Sequence, residues 1–174
     1  LNIYPDGGLA RFRVMGRADT ASAAAKRLEY LNSLFPGAAT SFLRAVCVSN
    51  AWVKAMMAKR PFADIEAVLT GAERAFDSLS VEDWLEAFAG HPRIGERGSV
   101  TANREQSGVA NAENATLEAL RHANQAYEEK FGFTYIVYAS GKTAEEMLEI
   151  ATSRLTNDQA IEIANASAEQ RRIT

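Results

Sequence analysis

From Ser22 onward, apolar residues recur every three or four positions, and each such run is bracketed by helix start and stop signals. The clearest case is the series Ile65, Val68, Leu69, Ala72, Phe76 and Leu79, the stripe of an amphipathic helix. Pro36 suits the first turn of a helix over 36–48, with Phe42, Leu43, Val46 and Cys47 on one side. Asn50 is placed to cap the next helix, through Trp52, Val53, Met56 and Met57, which must stop before Pro61. Ser80 and Asp83 form a capping box, Leu79 and Trp84 a hydrophobic staple, and Gly90 is placed to end that short helix.

After a Gly/Ser/Thr loop at 95–101, a long helix is expected to about residue 131, through Leu117, Leu120, Ala123 and Tyr127. Residues 133–138 are β-branched and aromatic and read as a short extended stretch, which Gly141 breaks. Thr143 and Glu146 form a second capping box for a helix to residue 155, and Asn157 or Asp158 starts the last helix. Residues 1–16 differ: Asp6-Gly7-Gly8 is a turn signal and residues 9–14 alternate loosely like a strand. The expected fold is all-α, a single-domain multi-helix bundle at 22–174 with one short extended segment and a strand-like N-terminal leader and linker at 1–21.

A net charge of −3 over 174 residues argues against nucleic acid as a main partner. No apolar run reaches the roughly 20 residues of a membrane span, and no secretion signal is visible. Cys47 has no partner for a disulfide, and with His91 and His122 as the other soft ligands a structural zinc site is not expected. A cytoplasmic setting fits this usage. The chain opens on Leu1 rather than Met, so a trimmed or excised chain is expected.

His91 is the first candidate for chemistry. It follows the expected helix end at Gly90 and precedes Pro92, which holds its backbone out of the helical region. Histidine suits proton transfer near neutrality, although a surface or capping role fits the same spacing. Glu105 and Gln106 follow fourteen and fifteen residues later, in the first turn of the long helix by this reading. They are either solvated acid and amide there, or reach over the loop to His91 and to a substrate rich in amide groups. Arg154 either pairs with a buried or substrate carboxylate or covers the edge of an apolar stripe. His122 reads as surface, and Gly141-Lys142-Thr143 lacks the earlier glycine and strand of a phosphate loop.

His91-Pro92-Arg93-Ile94-Gly95-Glu96, followed by Arg104-Glu105-Gln106, resembles the signature of the 2-oxo-4-hydroxy-4-carboxy-5-ureidoimidazoline (OHCU) decarboxylase family. Further matches are Arg60-Pro61-Phe62, the segment Asp83-Trp84-Leu85-Glu86-Ala87-Phe88, residues 131–142, Ser153-Arg154-Leu155-Thr156-Asn157 and Glu169-Gln170. The resemblance spans about residues 27–174. It implies an all-helical fold, a homodimer, and no metal or organic cofactor. It also implies decarboxylation of the ureidoimidazoline to (S)-allantoin in urate degradation, with His91 as catalytic residue and Glu105 as its acidic companion. Substrate contacts would come from Pro92, from Ala102, Asn103, Arg104, Glu105 and Gln106, and from Tyr135, Ile136, Val137, Tyr138 and Ala139, the last group partly through backbone.

Two departures stand out. Ala102 occupies a position where the family commonly has serine. The family also places a substrate-contacting arginine just beyond the Ile-Thr of the last helix, where this sequence stops at Ile173-Thr174. Either the chain is truncated or Arg154, Arg171 or Arg172 takes part of that role. The leader resembles the closing segment of allantoicase, which implies a fusion or a misjudged gene start. Two competing readings are a non-catalytic helical interaction module that retains the fold, and a metal-dependent hydrolase using His91, Glu96 and Glu105.

Overall fold

The computed structural model describes residues 20–94 and 109–174, with side chains over 23–94 and 115–174. Eight helices lie in these spans: α1 (Thr20–Ser33), α2 (Pro36–Val46), α3 (Asn50–Met57), α4 (Ile65–Asp77), α5 (Val81–Phe88), α6 (Val109–Phe131), α7 (Ala144–Arg154) and α8 (Gln159–Ile173). No strand occurs among the described residues. The leader at 1–16, the loop at 95–101 and the candidates at 102–106 lie outside them.

The helix ends follow local chemistry. Both capping boxes form: the Ser80 hydroxyl accepts from Asp83 N while the Asp83 carboxylate accepts from Ser80 N, and Thr143 and Glu146 repeat the exchange at α7. Asp158 caps α8 by accepting from Ile161 N at 2.8 Å. Two expectations shift. The buried Ser49, not Asn50, caps α3 by accepting from Trp52 N at 3.3 Å. Asn50 is thereby free to bond Glu86 of α5, donating its backbone N–H to Oε2 at 2.8 Å. Gly90, next after the C-cap Ala89, does not end α5 through a left-handed cap, because its φ is not positive. A Cβ at Gly90 would instead lie 2.6 and 2.8 Å from the Val48 methyl groups, so close approach of two segments requires glycine there. Gly132 (φ 76°) and Gly141 (φ 79°) take the left-handed conformation at the two ends of the stretch between α6 and α7.

Packing joins α2 to α3, α3 to α4 and α5, α5 to α8, and α6 to α7. Between these groups runs a chain of aromatic rings: Trp52 to Phe76 (5.5 Å between centroids), Phe76 to Trp84 (5.2 Å), Trp84 to Phe88 (6.0 Å), Phe88 to Phe133 (5.0 Å) and Phe133 to Tyr127 (5.6 Å). It links α3, α4 and α5 to α6 and the segment beyond it, so one core serves all the described helices. Within α4 the buried face runs through Gly71, Ala75 and Phe76, whereas Leu69 is 57% exposed and Ile65 38% exposed. The expected stripe is therefore rotated toward the small residues. A glycine and an alanine let α4 sit close to its neighbours, and two of its larger apolar residues turn outward.

The end of α1 is held from a distance. Arg60 Nη2 donates to the carbonyls of Leu31 (2.7 Å), Asn32 (3.1 Å) and Leu34 (2.6 Å), satisfying groups a helix C-terminus leaves open. The Arg60–Pro61 peptide is cis. Asn32 exchanges two hydrogen bonds with the backbone of Phe62, which places residues 60–62 against α1. No helix among the described residues is long and apolar enough to cross a membrane.

Candidate functional site

His91 sits one turn past α5, with its backbone N–H donating to Phe88 O at 3.1 Å. The residues after it are tied down separately. Arg93 makes a bidentate pair with Glu128 of α6, both bonds at 2.7 Å, and Asn124 Nδ2 donates to Ile94 O at 2.5 Å. The His91 ring is held from the other side, where Nε2 lies 2.6 Å from Oε1 of the fully buried Gln170 on α8. A histidine that spacing alone left as a possible surface residue is thus fixed at three levels: backbone, ring and following segment.

A cleft of about 330 Å³ opens beside it, lined by His91, Pro92 and Ile94 on one wall and by residues 135–140 on the other, with Ile173 at the edge. Tyr135, Ile136, Val137, Tyr138 and Ala139 are therefore brought to the same cleft as His91 and Pro92. The second wall is non-helical. Its backbone is held by α7 and α8: Arg154 Nη1 donates to Ile136 O at 2.8 Å, and Tyr138 N donates to Glu169 Oε2 at 2.5 Å. Lys142 Nζ donates to Tyr138 O at 2.7 Å. Between Ile136 O and Tyr138 N, both bonded to helices, the N–H and C=O of Val137 bond no described residue. An adjacent donor and acceptor of this kind match an amide or ureido group.

Arg154 settles between its two readings: it is buried and paired, not laid over an apolar edge. Its guanidinium bonds Glu162 (Nε to Oε1, 2.6 Å) and lies 5.2 and 5.8 Å from the ring centres of Tyr135 and Tyr127. Tyr127 also donates to Glu162, whose other oxygen accepts from Asn157 at 2.7 Å and Asn165 at 3.3 Å. Burial works to raise the Glu162 carboxyl, but the donors from Arg154, Tyr127 and Asn157 outweigh it and hold the group below its ordinary value. Burial, reinforced by the bond to Glu162, pushes the Tyr127 hydroxyl well up, so it stays protonated and keeps donating. Arg171 is engaged elsewhere, pairing with Glu73 (2.7 Å) and Asp77 (2.8 Å) of α4 above the Phe76 and Trp84 rings. Arg172 pairs with Glu169 at 3.1 Å and lies over the Tyr138 ring at 4.8 Å, beside the cleft.

Ala102, Asn103, Arg104, Glu105 and Gln106 lie outside the described residues. His122 is exposed, as read from its spacing. Residue-level reasoning assigned no role to Glu162, Glu169 or Gln170. The available signal was their spacing: Glu162, Ala166 and Gln170 step by four on one face of α8, and that face is the buried one.

Residues 32–174 match the OHCU decarboxylase family model. The uric acid degradation bifunctional protein TTL of Arabidopsis thaliana is 34% identical over 140 residues, covering 75% of this chain and 43% of that protein. The uric acid degradation bifunctional protein PucL of Bacillus subtilis is 27% identical over 154 residues, covering 84% of this chain and 31% of that protein. The chain thus spans less than half the length of these relatives. A crystal structure of OHCU decarboxylase in the presence of (S)-allantoin aligns with a TM-score of 0.61 at 35% identity, over 75% of this chain and 89% of that one. A crystal structure of (S)-allantoin synthase, at 20% identity and a TM-score of 0.62, shares the fold. By the match of residues 32–174 and the shared helical architecture, this chain belongs to the OHCU decarboxylase family.

Proposed function

We propose that this chain decarboxylates 2-oxo-4-hydroxy-4-carboxy-5-ureidoimidazoline to (S)-allantoin, with His91 as acid/base and Glu105 as its acidic companion. The observation that carries the reading is the cleft itself, where a fixed histidine faces a wall with an open backbone donor and acceptor. In the substrate, a carboxylate and a hydroxyl share one ring carbon next to a carbon–nitrogen double bond. As carbon dioxide leaves, the electron pair of the broken bond forms a carbon–carbon double bond and displaces the carbon–nitrogen pair onto the ring nitrogen, which takes up a proton, leaving an enol. The enol hydroxyl then gives up its proton while the neighbouring carbon gains one, on a single face. The electron sink lies within the substrate, so the chain's own residues have to orient, stabilise charge and move protons.

Pro92 and residues 102–106 would flank the substrate with residues 135–139, the open groups of Val137 meeting the ureido or ring amide. Arg172, over the Tyr138 ring beside the cleft and paired only at the surface with Glu169, is the arginine best placed to meet the substrate carboxylate, whereas Arg154 is buried on Glu162 and Arg171 is turned to α4. The family's homodimer and a cytoplasmic setting complete the reading, to be checked by light scattering and by fractionation. We read residues 1–21 as a leader left from an upstream allantoicase and 22–174 as the decarboxylase domain. The mass of the native protein tests that division.

The test is a coupled assay. Urate is oxidised and hydrolysed enzymatically to the unstable substrate, and (S)-allantoin is followed by circular dichroism. The chain should produce one enantiomer rapidly, and His91→Ala should slow it by about 10²–10⁴-fold. Slow racemic product from the unaltered chain would favour the interaction-module reading, to which Ala102 lends weight. Loss of activity in chelator would favour the metal-dependent hydrolase.

A further inference from the structure

The ring of His91 meets a neutral amide, not a carboxylate, at Nε2. Gln170 is wholly buried, with its Oε1 toward His91 and its Nε2 donating to Thr174 Oγ1 at 3.0 Å. An amide oxygen can only accept, so in this arrangement the ring carries its hydrogen on Nε2. A neutral imidazole holds one hydrogen, and the nitrogen left with a lone pair is then Nδ1. Among the described residues Nδ1 has no hydrogen-bond partner.

We infer that Gln170 is a positioning residue that locks His91 in the Nε2–H tautomer, making Nδ1 the atom that exchanges protons with the substrate. The kinetic part of this inference rests on the decarboxylase reading; the tautomer part does not. The buried face of α8 serves the site at one further point: Glu162 holds Arg154 of α7, which in turn holds the cleft wall, so a shift of α8 moves ring and wall together.

The chain has two histidines, His91 and the exposed His122, so nitrogen-15 long-range correlation spectra of the ring nitrogens resolve both. In the unaltered protein above the histidine titration, His91 should show limiting shifts, Nε2 protonated and Nδ1 bare. His122 should show the averaged shifts of a free ring. Gln170→Met removes the acceptor and should bring His91 to averaged shifts, whereas Gln170→Glu keeps an acceptor and should retain the lock. In the coupled assay Gln170→Met should lose at least about tenfold in kcat with KM little changed, because a ring released from Gln170 no longer holds Nδ1 aimed at the substrate. Limiting shifts of the opposite kind, or averaged shifts in the unaltered protein, would overturn the inference, the former meaning that the amide is turned round. Should Gln170→Met fail to fold, the unaltered protein's spectrum still decides. Turnover with an unlocked or reversed ring sinks this inference alone; a locked ring without turnover sinks the decarboxylase reading alone.

Discussion

At the scale of single residues, the decisive contacts are steric at Gly90 and electrostatic at Glu162. Any side chain at Gly90 meets the methyl groups of Val48 in the connection between α2 and α3. Gly90→Ala should therefore cost about 1–3 kcal/mol by overpacking, although alanine is the better helix former. Adding Val48→Ala should recover part of the loss, a non-additive pair readable from urea midpoints. Glu162 is charged because its donors outweigh its burial. A carboxyl held low in the folded state stabilises above its unfolded value, near 4.5, and that stabilisation fades as pH falls through the folded value. Glu162→Gln leaves Arg154 buried beside a neutral group and should cost about 3–5 kcal/mol at neutral pH. The gap between variant and unaltered protein should narrow as the pH is lowered below 4.5; a gap independent of pH would mean that Glu162 is not the charged partner.

At the scale of elements, the capping chemistry was readable and the buried faces were less so. Ser80-x-x-Asp83 and Thr143-x-x-Glu146 act locally, each through side chains within one turn, so their sequence suffices. The faces of α4 and α8 depend on what lies opposite. In α4 the small Gly71 and Ala75 face inward, and Leu69, which by spacing belongs to the apolar stripe, is largely in solvent. Leu69→Lys should accordingly change stability by no more than about 0.5 kcal/mol, where a core leucine would lose several. A thermal melt of that variant separates the two pictures. In α8 the inward face carries Glu162 and Gln170 while Ile161 and Ile173 turn outward, the reverse of an ordinary amphipathic helix. Apolar periodicity is blind to such a face, because a buried polar face is stable only when donors elsewhere in the chain complete it.

At the scale of the whole molecule, the ring chain from Trp52 to Tyr127 joins the helices before His91 to those that carry the second cleft wall. Phe88 is its middle link, fully buried between Trp84 and Phe133. Phe88→Ala should cost about 3–5 kcal/mol. It should also slow the coupled assay, since the histidine follows Phe88 by three residues and the facing wall begins two residues after Phe133. Because one core spans all the described helices, unfolding by urea should stay a single transition, with tryptophan fluorescence and helical circular dichroism coinciding. Transitions that part in Phe88→Ala would mean that the two sides fold independently.

By itself the sequence determined the helical class, the capping boxes, the glycine at the close of the extended segment, and the corner that carries His91. Each of these depends on residues within about one or two turns of chain, where backbone sterics and local hydrogen bonds decide the outcome. Only the tertiary structure decided that Asn50 bonds Glu86 instead of capping α3, that Arg154 is buried on Glu162, and that Gln170 reaches His91 across 79 positions. A polar side chain has the same local signature on a wet surface and in a sealed interior. Which of the two it occupies depends on partners from distant segments, and those partners meet only once the chain has packed.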